Sequence, residues 1–259
     1  MLEQRILTSI IGIPIIMASL YWGGIYWQIL VFLLVLVGLL EFARMGGPNI
    51  HLDYLLVSGL SYLLLTYSGM DSTKFVLWLL FQTLYYLGRS AFSGNICFAS
   101  APNLLGVFYV AVLYSFLWKV RSTFGLSWTI FGLLVTWLTD TGAYFGGTRH
   151  GKRPLAPNIS PNKSIEGALI GSLSGVLTGL VYAMLSGQSL LAVGALALVL
   201  SIAGQLGDLV ESAMKRERAV KDTGTILPGH GGVLDRFDSV AFVFPLLFAA
   251  LTLFARRGF

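Results

Sequence analysis

Apolar residues in this chain gather into long blocks instead of alternating with polar ones. The blocks cover about 6–21, 25–43, 54–67, 75–87, 104–118, 126–146, 165–185, 190–206 and 239–255. Most are long enough for a helix crossing a hydrocarbon core about 30 Å thick, where every backbone N–H and C=O must find a partner within its own segment. The third and fourth are the shortest, and helix ends within 44–125 are the least sharply marked. The pattern predicts an all-α, polytopic integral membrane protein with about nine transmembrane helices. Most connections are brief, but two are long and charged, 147–164 and 213–238. A pair of helices separates them, so both emerge on one side of the membrane and their polar groups can meet.

Composition agrees with this reading. Hydrophobic residues make up 56% of the chain and charged residues 11%, against about 25% charged in an ordinary soluble domain. No polar block is large enough for a separate globular unit, so a single transmembrane domain over 1–259 is expected, with apolar helices in 1–122 and the charged loops in 123–259. Arg5 precedes the first block, but no small-residue cleavage site follows it, so the first helix is expected to stay. Cys97, the single cysteine, has no internal disulfide partner and reads as a packing residue.

With the N-terminus inside, the inner side receives Arg5, Arg44, Arg89 and all the basic residues of the two long loops. The outer side receives Lys74, Lys119, Arg121, Arg256 and Arg257. This asymmetry places the charged loops at the cytoplasmic face of the plasma (inner) membrane. A pI near 9.4 does not indicate nucleic acid, because the basic residues flank apolar helices instead of covering a soluble face. Anionic lipid headgroups and soluble phosphates are the expected partners.

Candidate chemistry concentrates near the end of the chain. Asp208, Glu211, Ser212 and Lys215 fall at i, i+3, i+4 and i+7, which puts them on one helix face. A carboxylate such as Asp208 at the edge of an apolar block is expensive to insert and marks function by default. Asp222, Asp235 and Asp238 follow, the last two straddling Arg236 where the final helix begins. Asp238 alone could be a first-turn acid serving the helix dipole. With Asp208 and Asp235 it suggests a hard-cation site, since oxygen-only ligands favour magnesium-type ions.

Pro228, Gly229, His230, Gly231 and Gly232 form a glycine-rich loop in which backbone N–H groups can approach an anion, or simply a tight turn. His230 is assigned positioning, because a phosphate monoester is already largely ionised near neutrality. In the other long loop, Ser164 reads as an N-cap, and Lys163 with the free N–H groups of that helix end forms a candidate phosphate cradle. Asp140 lies inside an apolar block and needs a partner or water. Gly167, Gly171, Gly175 and Gly179 recur every four residues, a small-residue stripe for close helix packing.

At these residues the chain resembles the phosphatidate cytidylyltransferases, or CDP-diacylglycerol synthases. That family's signature reads S-x-x-K-R, four residues, K-D, then P-G-H-G-G-x-x-D-R-x-D. It is met by Ser212, Lys215, Arg216, Lys221, Asp222, Pro228 to Gly232, Asp235, Arg236 and Asp238 without a departure. The segments around Asp140 and Lys163 are also similar, so the resemblance is strong over 126–259. Earlier residues resemble the family only in being apolar helices.

The resemblance implies an enzyme that joins CTP to phosphatidic acid, releasing pyrophosphate and leaving CDP-diacylglycerol in the bilayer. It also implies a homodimer and a magnesium-centred site, with a second, monovalent cation such as potassium. By motif, Asp208, Asp235 and Asp238 would organise metal, while Ser212, Lys215, Lys221 and Arg236 would hold phosphates. Arg216, Asp222, Lys163, Ser164, Asp140 and the Gly229–Gly232 loop would bind substrate. Direct in-line displacement suits these residue types, because positioning and charge neutralisation supply most of the catalysis. Two other readings share parts of the pattern. An enzyme acting on an isoprenoid or archaeal lipid would keep the charged face. A phosphate-solute transporter would need broken helices in both halves, whereas the charge lies in the later half.

Overall fold

The computed structural model describes residues 2–46, 52–67, 72–92, 101–226, 229 and 231–256. Cys97, Pro228 and His230 lie outside the described residues. The described helices are α1 (Leu2–Trp22), α2 (Gly24–Gly46), α3 (Leu52–Tyr67), α4 (Ser72–Phe92), α5 (Ala101–Gly106), α6 (Leu113–His150), α7 (Ile165–Ser186), α8 (Leu190–Glu217) and α9 (Leu234–Arg256). A π-helical stretch, Val107–Val112, joins α5 to α6. Two short strands, β1 (Pro154–Ala156) and β2 (Ser160–Ser164), pair antiparallel in the first long loop.

Among the described residues, five helices are long and apolar enough to cross a membrane: Gly24–Gly46, Pro102–His150, Ile165–Ser186, Leu190–Glu217 and Leu234–Arg256. Large apolar side chains such as Leu33, Leu56, Leu173 and Leu191 are exposed, as helices surrounded by lipid require. The chain is an all-α integral membrane protein, with the short hairpin as its β structure among the described residues.

The sequence separated blocks 104–118 and 126–146, whereas the structure runs one helical element through both and breaks its regularity at Gly125, with φ 87° and ψ −174°. Only glycine adopts that backbone without strain. The helices flanking the second charged loop are also longer than their apolar blocks. α8 continues to Glu217 and α9 begins at Leu234, because polar residues at the membrane edge can prolong a helix that the apolar pattern no longer marks.

The chain forms two compact units. The first comprises 1–119 and 222–234. Its core is lined by Trp27, Val31, Val35 and Leu39, four residues apart on one face of α2, together with Tyr62, Val110 and Leu117. The Trp27 indole Nε1 donates to the Leu117 carbonyl at 3.1 Å, and Gly38 lets Val110 and Leu234 approach α2.

The second unit comprises 120–221 and 235–259. Here the small-residue stripe of α7 does what its spacing predicts. A Cβ on Gly171 would lie 2.7 Å from the Thr139 carbonyl oxygen of α6, and one on Gly179 2.5 Å from Ala197 of α8. The buried hydroxyls of Thr139 and Ser201 add an α6–α8 hydrogen bond of 2.9 Å, and Gln205 Nε2 donates to Ser172 Oγ at 2.9 Å. Lipid competes poorly for these groups, although each such bond contributes only about 0.6 kcal/mol on average. On the other side of α8, a Cβ on Gly207 would stand 2.7 Å from the Asp238 carbonyl oxygen. That close approach of α8 and α9 brings their acids together.

Candidate active site

The site grows from the last turns of α8. Asp208, Glu211, Ser212 and Lys215 share one face of this helix, as their spacing predicts. Gly207, next to Asp208, removes the side chain that would hold α9 away. Asp235 lies in the first turn of α9 and Asp238 one turn further on.

Two lysines are interleaved with these acids. Lys163, on β2, places Nζ 2.5 Å from Asp208 Oδ2 in an ion pair that is out of line for a hydrogen bond. Lys215 Nζ lies 2.6 Å from Glu211 Oε2 and 2.7 Å from Asp235 Oδ1. Glu211 is fully buried and Asp235 nearly so, with side-chain exposures of 0% and 6%. Carboxylates so far from water need a counter-charge, and Lys215 serves both. Ser212 Oγ faces Asp208 Oδ1 at 3.5 Å. Asp238 accepts the Ser239 backbone N–H at 2.6 Å and lies within electrostatic reach of Asp208, Glu211 and Asp140.

The first charged loop meets the end of α8 within this unit. Besides the Lys163–Asp208 pair, Arg216 Nε donates to the Ile159 carbonyl at 3.2 Å. Ser164 caps α7 by accepting the Gly167 N–H at 3.1 Å. Glu166, in the first turn of α7, accepts the backbone N–H groups of Lys152 and Arg153 at 3.0 and 3.2 Å. Those bonds hold the base of the hairpin.

A cavity of about 630 Å³ opens beside these residues, lined by Asp140, Tyr144, Asn162, Lys163, Ser164 and Asp208 among others. Asp140 is exposed to it. A second, almost wholly apolar cavity of about 510 Å³ lies along α6 and α7, lined by Leu134, Leu138, Phe145, Leu177 and Val181 among others. On α6 the polar and apolar linings interleave: Asp140 and Tyr144 face the first cavity, and Leu138 and Phe145 the second.

The expected convergence of Asp208, Asp235 and Asp238 on one point is not what the structure has. Among the described residues no three His, Cys, Asp or Glu side chains are placed as ligands of one metal ion. Lysines neutralise two of the three acids instead. A hard cation still fits the chemistry of the donor set, because the crowded groups Asp140, Asp208 and Asp238 offer only carboxylate oxygens.

Of the remaining expected residues, Lys221 and Asp222 are exposed after α8, and Arg236 is exposed on α9. Gly229 and Gly231 have φ of 76° and 82°, the left-handed backbone that glycine adopts freely. Gly232 is buried. Sequence reasoning passed over Asn162, Tyr144 and Gln205 of the polar cavity, none of which carries charge. It also passed over Glu41, a buried acid inside an apolar block, although the argument applied to Asp140 and Asp208 would have found it.

The profile of the cytidylyltransferase family matches residues 3–254. The chain is 39% identical over 257 residues to a phosphatidate cytidylyltransferase of Staphylococcus epidermidis, covering 95% of this chain and 97% of that protein. It is 34% identical over 270 residues to one of Bacillus subtilis, covering 98% and 99%. To one of Staphylococcus aureus it is 37% identical over 257 residues, covering 95% and 97%.

Proposed function

The chain belongs to the cytidylyltransferase family, and from that premise we propose how it makes CDP-diacylglycerol from CTP and phosphatidic acid at the cytoplasmic face of the plasma membrane. The observation that carries the reading is the interleaving of Lys163 with Asp208 and of Lys215 with Asp235 and Glu211 beside a polar cavity. Cations and acids held this close can grip polyanions without a net charge that the bilayer edge would reject.

A phosphate oxygen of phosphatidic acid attacks the α-phosphorus of CTP, the bond from that phosphorus to the bridging oxygen breaks, and pyrophosphate departs. Lys163, Lys215, Lys221 and Arg236 hold the phosphates, and Ser212 donates a hydrogen bond to one of them. Arg216, Asp222 and the Gly229–Gly232 loop, with His230, position the nucleotide; Ser164, which lines the polar cavity beside Lys163, faces a phosphate there. Both reactants are already ionised, so the chain needs no covalent intermediate; its task is alignment and charge neutralisation. Asp208 and Asp238, with Asp140 beside them, would hold a magnesium ion. Such an ion would offset charge on the triphosphate and on the leaving pyrophosphate; a monovalent cation and a homodimer complete the proposal. The apolar cavity along α6 and α7 supports seating an acyl chain next to the polar one.

Purified protein given CTP, phosphatidic acid and magnesium is expected to release pyrophosphate and form a CDP-linked lipid, with neither product when any component is omitted. Asp208→Asn and Asp235→Asn are expected to abolish turnover in protein that remains folded. Turnover with an isoprenoid phosphate and none with phosphatidic acid, or near-normal activity in either variant, overturns the reading.

A further inference from the structure

Glu41 is the one acid in the apolar block 25–43 and is fully buried near the end of α2. Its hydrogen-bond donors Thr223, Val233 and Leu234 lie in the signature loop, far along the chain but within the same compact unit. The Val233 backbone N–H donates to Oε1 at 2.9 Å, and that of Leu234 donates to Oε2 at 2.9 Å. The Thr223 hydroxyl donates to Oε2 at 3.2 Å. These partners stand 182 to 193 residues away in sequence.

Two glycines of the loop are shaped around the same carboxylate. A Cβ on Gly224 would come 2.7 Å from Glu41 Oε1, and one on Gly232 would come 2.6 Å from Oε2 and collide with the Thr223 hydroxyl. Gly232 closes the glycine-rich loop, so its identity follows from the acid beside it and not only from an anion. Val233 and Leu234 open α9, whose first N–H groups have no partner within the helix. A carboxylate there satisfies two of them and meets the positive end of the helix dipole, which accounts for its tolerance of full burial.

We propose that Glu41 is a positioning residue for cytidylyl transfer. It clamps the signature loop at both ends, 223–224 and 232–234, and so fixes the start of α9, which carries Asp235 in its first turn and Asp238 one turn further on. It touches neither substrate. The role rests on the reaction proposed above, while the clamp itself does not.

Replacing Glu41 with Gln keeps the shape but leaves one acceptor oxygen where three donors require two. Glu41→Gln is expected to lower kcat about tenfold to a hundredfold, as small misplacements of reacting groups do, while KM for CTP and for phosphatidic acid stays within about threefold. It is also expected to speed tryptic cleavage after the exposed residues Arg218 and Lys221 in detergent-solubilised protein. Gly224→Ala, whose Cβ would meet Glu41 atoms first, should give a similar loss in the wild-type background and add little in a Glu41→Ala background, because both changes break one contact. Wild-type kcat and unchanged tryptic cleavage in Glu41→Gln overturn the proposal, as do additive losses from Gly224→Ala and Glu41→Ala. Should Glu41→Ala not fold, Glu41→Gln with its cleavage rate decides alone. Absence of CDP-lipid formation by the wild type would instead refute the reaction, and the cleavage rates would still judge the clamp.

Discussion

Lys215 Nζ lies 2.7 Å from Asp235 Oδ1, which ties the last turns of α8 to the first turn of α9 across 20 residues of chain. The same ammonium reaches Glu211 one helical turn away at 2.6 Å. One cation therefore neutralises two buried acids, and its removal takes that charge away from both.

Lys215→Met is expected to destabilise the protein by about 3–5 kcal/mol, the cost of stranding a buried carboxylate. Adding Glu211→Gln should recover part of that loss without restoring turnover. Thermal melting in detergent, read beside CDP-lipid formation, separates the two effects. Full activity in Lys215→Met would remove the residue from the mechanism.

Lys163 is less buried, with a side-chain exposure of 29% against 31% for its partner Asp208. Screening by water limits its contribution to stability to about 1 kcal/mol or less. Lys163→Ala should therefore melt close to the wild type while CTP turnover falls at least about tenfold, the scale of one lost charged transition-state contact. A melting shift with unchanged turnover would make the pair purely structural.

Chelation of divalent ions should stop turnover, and magnesium should restore it where zinc does not, since carboxylate oxygens favour the harder ion. Asp238→Asn is expected to raise the magnesium concentration needed for half-maximal rate. Undiminished activity after exhaustive chelation would remove the metal from the proposal.

Gly207→Ala places a Cβ 2.7 Å from the Asp238 carbonyl oxygen. It should cost about 1–3 kcal/mol in strain and lower activity by parting α8 from α9. Gly88→Ala meets nothing within 4 Å on α4 and should be neutral, or stabilising by up to about 1 kcal/mol. Equal melting of the two variants would show that the α8–α9 approach is not tight.

Val181→Trp narrows the apolar cavity that Val181 shares with Leu177 and Leu134. It is expected to raise KM for long-chain phosphatidic acid several-fold and leave KM for CTP unchanged. The ratio of the two constants, measured over acyl lengths, checks it. A uniform loss for all lengths would place the chain elsewhere.

Local chemistry made much of this protein legible from its sequence. Apolar blocks imply helices because lipid leaves the backbone no other partner. The i, i+3, i+4 and i+7 spacing put Asp208, Glu211, Ser212 and Lys215 on one face, and the glycine stripe of α7 announced close packing, because helix geometry is the same wherever a helix forms. Partner choice did not follow. That Lys163 takes Asp208, that Lys215 takes Asp235, and that Glu41 clamps Thr223, Val233 and Leu234 depends on side chains brought within about 3 Å by packing, a contact that hydrogen-bond geometry makes all-or-none. The hairpin of β1 and β2 and the break at Gly125 escaped for a related reason: each is settled by backbone angles and pairing that an apolar pattern does not encode. The chain's own order supplied the helices and the charged groups, while the tertiary fold decided which acid answers which cation.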